Sequence, residues 1–115
     1  MENYSVKDFR SLIVYKRTLQ LYKVATTNEE YDEANRFKIK KAISKIAQYI
    51  AKSTGDCLYI NSLIYDINKA LKWTYEADKL LKTKGEKNEL SQIRKMIFGL
   101  RKKMEEVKNE NNYIC

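Results

Sequence analysis

The residues best placed to do chemistry in this chain are cations. Lys38, Lys41, Lys45 and Lys52 fall at spacings near three, four and seven, so several share one face of a helix. Arg94, Lys95, Arg101 and Lys102 repeat in the same way and form a second basic stripe. Rows of cations along a rigid rod can match phosphates, and each neutralised phosphate releases counterions. The nine tyrosines include Tyr15, Tyr22, Tyr49, Tyr59 and Tyr75, and aromatics beside basic stripes can stack on bases. The expectation is a surface for RNA or DNA, with those eight Lys and Arg side chains as the phosphate contacts. The plainer alternative is that the tyrosines edge a core and the lysines solubilise. Taken singly, each residue fits that alternative; the joint pattern favours nucleic acid, because too little acid offsets the two rows.

Other chemistry finds few candidates. The chain has no His, which removes the commonest general base, the commonest metal ligand and every Ser-His-Asp or Cys-His arrangement. Asp66, Glu76 and Asp78 lie among Lys69, Lys72 and Lys79 and read as exposed partners of those lysines. The acids of residues 29 to 33 read as complements to a helix dipole rather than as metal ligands. Gly55, Gly85 and Gly99 are too far apart for a phosphate-cradling loop. Cys57 has no activating neighbour in sequence, and with Cys115 it reads as a reduced thiol. The expectation is a protein that is not an enzyme, with no metal and no cofactor.

A formal net charge of +8, from 23 basic and 15 acidic residues, suits an acidic partner. At 115 residues the chain fits one domain. Proline is absent and glycine occurs three times; so few breakers favour long helices over sandwiches and barrels. No apolar run approaches the ~20 residues needed to cross a bilayer. The first residues, MENYSVKDFR, lack the apolar centre of a signal peptide. A cytoplasmic protein is expected, with no membrane role.

Four amphipathic stretches must position the cations. The first, about 6–25, places Phe9, Leu12, Tyr15, Leu19 and Tyr22 three or four apart, with Ile13 and Val14 widening the apolar side. Ser5 and Asp8 suggest a capping box before it. The second, about 29–53, follows Asn28 as N-cap and puts Ile39, Ala42, Ile43, Ile46, Ala47 and Ile50 on one stripe. From Ala34 to Gly55 it contains no acid. Gly55 fits the closing position of that helix, and Asp56 can cap the next.

The third helix, about 57–82, aligns Ile60, Leu63, Ile64, Ile67, Leu71, Thr74, Ala77 and Leu81, with Trp73 and Tyr75 off centre. Residues 83–88 read as a break, with Asn88 or a neighbour capping the fourth helix, about 89–108. There Leu90, Ile93, Ile97, Leu100, Met104 and Val107 form the seam of a left-handed bundle, and residues 109–115 form a frayed tail. Connections this short force neighbouring helices to run antiparallel. The fold class is all-α, an up-down-up-down four-helix bundle in one domain, 1–115. Apolar residues beyond one seam, among them Ile13, Val14, Leu58, Trp73 and Leu80, point to a homo-oligomer.

The stretch DFRSLIVYKRTLQLY resembles the first helix of the four-helix-bundle proteins encoded by bacterial 23S rRNA intervening sequences. That helix reads Phe-x-x-Leu-x-Val-Trp/Tyr, and Phe9, Leu12, Val14 and Tyr15 occupy those places. Its second helix ends near Asn-Ile-Ala-Glu-Gly; here Tyr49, Ile50, Ala51, Lys52 and Ser53 stand there, so Asn, Glu and Gly are replaced. The second half, NKALKWTYEADKLL with LSQIRKMIFGLRKKM, is similar to the sister branch. That branch comprises the accessory variability determinant (Avd) proteins of diversity-generating retroelements. The similarity covers nearly the whole chain and rests mostly on apolar spacing. It implies a barrel-shaped homopentamer. For the Avd branch it also implies nucleic-acid binding and association with the element's reverse transcriptase in template-primed cDNA synthesis.

Overall fold

A computed structural model describes residues 9–53 and 60–111. Four helices account for them: α1 (Phe9–Thr26), α2 (Glu33–Lys52), α3 (Ile60–Leu80) and α4 (Lys84–Asn111). There is no strand among the described residues. Each helix packs on its neighbour in sequence, α4 closes on α1, and the backbones of the diagonal pairs stay apart. Cross-helix partners run in opposite senses: Arg94 meets Thr74, and Arg101, further along α4, meets Asn68, earlier in α3. The up-down-up-down bundle expected from the short connections is the observed one.

Helix α2 buries the predicted six residues, Ile39, Ala42, Ile43, Ile46, Ala47 and Ile50. Each fully buried isoleucine stabilises the fold by roughly 1.5–3 kcal/mol. Ile67 of α3 and Leu90, Ile93, Ile97 and Met104 of α4 are fully buried against them. Val107, at the end of the α4 seam, is only half-buried, and Ile64 likewise packs at the edge.

Helix α1 is turned relative to its sequence pattern. Its buried line is Val14, Thr18, Leu21 and Ala25. Leu12 and Leu19, expected in the stripe, are 51% and 44% exposed, and Tyr15 and Tyr22 lie at the seam. Thr18 tolerates this phase. Its hydroxyl donates to the Val14 carbonyl at 2.8 Å, so a polar residue sits in the core without an orphaned group. Val14 is core rather than surplus, and Trp73 and Leu80 pack against the core from outside.

Two helix starts also differ from expectation. Helix α2 begins at Glu33, not 29, because Asp32 is the cap and accepts from the Asn35 amide at 2.7 Å. Asn28 instead forms a turn, its side-chain oxygen accepting from the Glu30 amide at 3.0 Å. Glu29 and Glu30 therefore lie in the connection, and only Asp32 and Glu33 complement the helix dipole. Helix α4 begins at Lys84, not 89, because Thr83 accepts from the Glu86 amide at 3.3 Å. Thr83-x-x-Glu86 is the spacing of a capping box.

The Glu86 carboxylate does not turn back to its own cap. It is buried, accepting from the Tyr31 hydroxyl and from Asn28 Nδ2. Tyr31, also buried, accepts in turn from the Lys82 amide at 2.8 Å. Burial raises the Tyr31 phenol above its ordinary value, and Glu86 adds to the shift. This clasp ties the α1–α2 connection to the start of α4. The expected Ser5–Asp8 box, the Gly55 and Asp56 caps, Leu58, Tyr59, Cys57 and Cys115 lie outside the described residues.

Candidate nucleic acid interface

The acid-poor character of α2 survives folding. Lys38, Lys41 and Lys52 are exposed and Lys45 is half-buried. None of these four forms an ion pair with a described residue. They lie on the outward side of α2, because the isoleucine stripe fixes which side faces the core; Lys38 and Lys41 border α3, and Lys52 also borders the groove between α1 and α2. Lys52 holds its ammonium 5.0 Å from the Tyr49 ring centre, a cation–π contact within its own helix.

Helix α3 places two carboxylates near this row. Burial raises the Asp66 carboxyl, and the charge of Lys52 works in the opposite direction. Glu76 is paired at 2.8 Å with Lys79, which holds its carboxyl below the usual range. Lys38, Lys41 and Glu76 line one open groove between the two helices.

The α4 stripe divides into two. Arg94 donates through Nε and Nη2 to the hydroxyl and carbonyl of Thr74 at 3.0 and 3.1 Å, and its guanidinium lies 4.1 Å from the Tyr75 ring centre. Arg101 donates to Asn68 Oδ1 at 3.2 Å and lies over Phe98. Both arginines tie α4 to α3. Lys95 and Lys102, one position on and so about 100° round the helix, are exposed. The fold thus gathers Lys38, Lys41, Lys45 and Lys52 on one face and Lys95 and Lys102 on another. It commits much of Arg94 and Arg101 to internal contacts.

Helix α1 adds cations that were not assigned to the site. Lys16 and Lys23 are exposed, whereas Arg17 is held bidentate by Glu89 at 2.7 and 2.8 Å. Helices α1 and α2 together carry ten Lys and Arg against one acid, Glu33. Helices α3 and α4 carry eleven against eight. The scarcity of acid in α1 and α2, where Glu33 alone stands against ten cations, is the sequence signal for this asymmetry; their adjacency needed the fold. Among the described residues, no three acidic or thiol side chains are grouped to hold a metal, and no helix is long and apolar enough to cross a membrane.

No protein-family model, curated protein or solved structure matches the chain significantly.

Proposed function

We propose that this chain is a non-enzymatic, basic nucleic-acid-binding accessory protein. In its setting it is an Avd-like partner of a diversity-generating retroelement reverse transcriptase, working as a homo-oligomer, with the pentamer implied by the resemblance. The observation that carries the nucleic-acid reading is the row Lys38, Lys41, Lys45 and Lys52, whose charges no described carboxylate pairs. Cations left unpaired on a rigid helix are free to exchange their counterions for phosphates. The absence of His from the sequence supports the non-enzymatic part, and the resemblance of the second half of the chain to the Avd branch supports the retroelement setting. Of the eight contacts expected from sequence, the four on α2 form the proposed surface, and Lys95 and Lys102 add a second patch on another face. Arg94 and Arg101 contribute through the donors that α3 leaves over.

The test is a gel shift with structured RNA at two salt concentrations, using the wild type and Lys41→Glu/Lys45→Glu. The wild type should bind tightly at low salt and weaken steeply as salt rises. The variant should bind more weakly with a flatter dependence. Equal affinity of the two proteins at low salt refutes the surface.

A second reading, a protein-interaction bundle including the rRNA intervening-sequence type, is favoured by one observation. Leu12 and Leu19 leave an apolar edge on α1 exposed. Native mass spectrometry separates its parts. An oligomer that Leu12→Ser/Leu19→Ser dissociates assigns that edge to copies of the chain, and a persistent monomer removes the pentamer.

A further inference from the structure

The exposed aromatic rings of this bundle are not equivalent. Tyr65 lies under Lys69 with the ammonium 5.4 Å from the ring centre, Tyr75 under Arg94 and Phe98 under Arg101. Each of these faces is occupied by a cation of the protein itself. Phe37 has no such cover. It is 71% exposed, the most exposed large apolar side chain among the described residues, and no cation or ring lies against it.

Its surroundings suit a nucleotide. Phe37 opens an α2–α3 groove of about 380 Å³ together with Lys38, Lys41 and, across from them, Trp73. Lys41 follows Phe37 by one helical turn, a spacing that brings two side chains side by side. Neither Lys38 nor Lys41 has an ion pair with a described residue. The one carboxylate in the groove, Glu76, is engaged by Lys79. An open aromatic face beside unpaired ammonium groups is the combination that takes a base on its π-face and the adjoining phosphates on its cations. A base within a duplex has both faces covered by its neighbours, so along the length of a nucleic acid Phe37 selects unpaired bases.

We infer that the α2–α3 groove is a single-strand-selective site, where an unpaired base stacks on Phe37 and the flanking phosphates meet Lys38 and Lys41. This rests on the nucleic-acid reading above and adds to it which form of nucleic acid is held.

The experiment measures binding of end-labelled oligo(dT), and of its duplex with oligo(dA), by fluorescence anisotropy at low salt. The proteins are the wild type, Phe37→Ala and Phe37→Tyr, with circular dichroism to verify folding and native mass to follow assembly. Trp73 is the sole tryptophan in the chain, so its emission reports occupancy of the groove. The single strand should bind more tightly than the duplex and quench Trp73. Phe37→Ala should weaken single-strand binding roughly tenfold or more, the usual cost of one lost stack, without changing duplex affinity. Phe37→Tyr should restore it. Unchanged single-strand affinity in Phe37→Ala, duplex preference in the wild type, or binding without Trp73 quenching each overturns the inference while leaving nucleic-acid binding in place. A change of oligomeric mass in Phe37→Ala makes Phe37 a contact between copies and overturns it as well. Binding of neither strand form overturns both this inference and the reading beneath it.

Discussion

Tyr31→Phe is the sharpest test of how the bundle is held closed at one end. The substitution deletes a single oxygen that donates to Glu86 and accepts from the Lys82 amide at 2.8 Å. A hydrogen bond to a charged acceptor contributes ~1.5–3 kcal/mol, and leaving a partly buried amide without an acceptor costs ~1 kcal/mol more. The expected loss is therefore ~2.5–4 kcal/mol, a large share of a domain stability of ~5–15 kcal/mol. At roughly 4 °C per kcal/mol for a chain of this size, Tm should fall by about 10–16 °C. Far-UV circular dichroism melts and urea titrations give both quantities. A double-mutant cycle with Glu86→Gln should show a coupling of at least ~1 kcal/mol, since the two side chains touch.

The same variant has a pH signature. Tyr31 donates only while protonated, and its folded-state pKa is raised above the ordinary 10.0, mainly by burial and further by Glu86. Its contribution is thus fully present below about pH 10 and is lost as pH rises through the folded value. The stability gap between wild type and Tyr31→Phe should be flat across neutral pH and should narrow only in strong alkali. A cost under ~0.5 kcal/mol, the scatter of ordinary surface substitutions, refutes the clasp.

Gly99 lies within α4 with open space where a Cβ would stand and no positive φ. Gly99→Ala should accordingly stabilise the protein by ~0.5–1 kcal/mol in a thermal melt, and a loss of stability contradicts the helix environment described. Arg94→Ala should cost ~1–3 kcal/mol in urea titration through its two bonds to Thr74, whereas Lys95→Ala should leave stability within ~0.5 kcal/mol. Equal effects of the two would erase the division of the α4 stripe. Asp66→Asn removes a carboxylate facing Lys52 and should tighten oligonucleotide binding about twofold in anisotropy at low salt. That is the weight of one unit charge ~10 Å away in water. Weaker binding would place the nucleic acid elsewhere.

Much of this architecture was legible before folding was considered. The isoleucine run of α2 and the seam of α4 have periods that allow only one buried side. Helix α1 was misphased because Thr18 looks like a surface residue, while Leu12 and Leu19 look like core. The bond from Thr18 to Val14 lets the threonine take the core position that Leu12 and Leu19 leave. The start of α4 was in the sequence as Thr83-x-x-Glu86, but Gly85 within it reads as a breaker. The Tyr31–Glu86 contact joins residues 55 positions apart, and no local pattern announces it. The α2 lysines could be read as unpaired because their own helix carries no acid after Glu33. Arg94 and Arg101 could not be read as structural, because their partners stand on α3.

The uneven division of charge between the two helix pairs gives the molecule a direction. A polyanion approaching from any side exerts a torque that turns the α1–α2 half toward it before contact. At physiological ionic strength this field fades within ~8 Å, half the 16 Å shortest dimension of the bundle. Added electrolyte should therefore first slow capture, by leaving encounters unaligned, and only then hasten release.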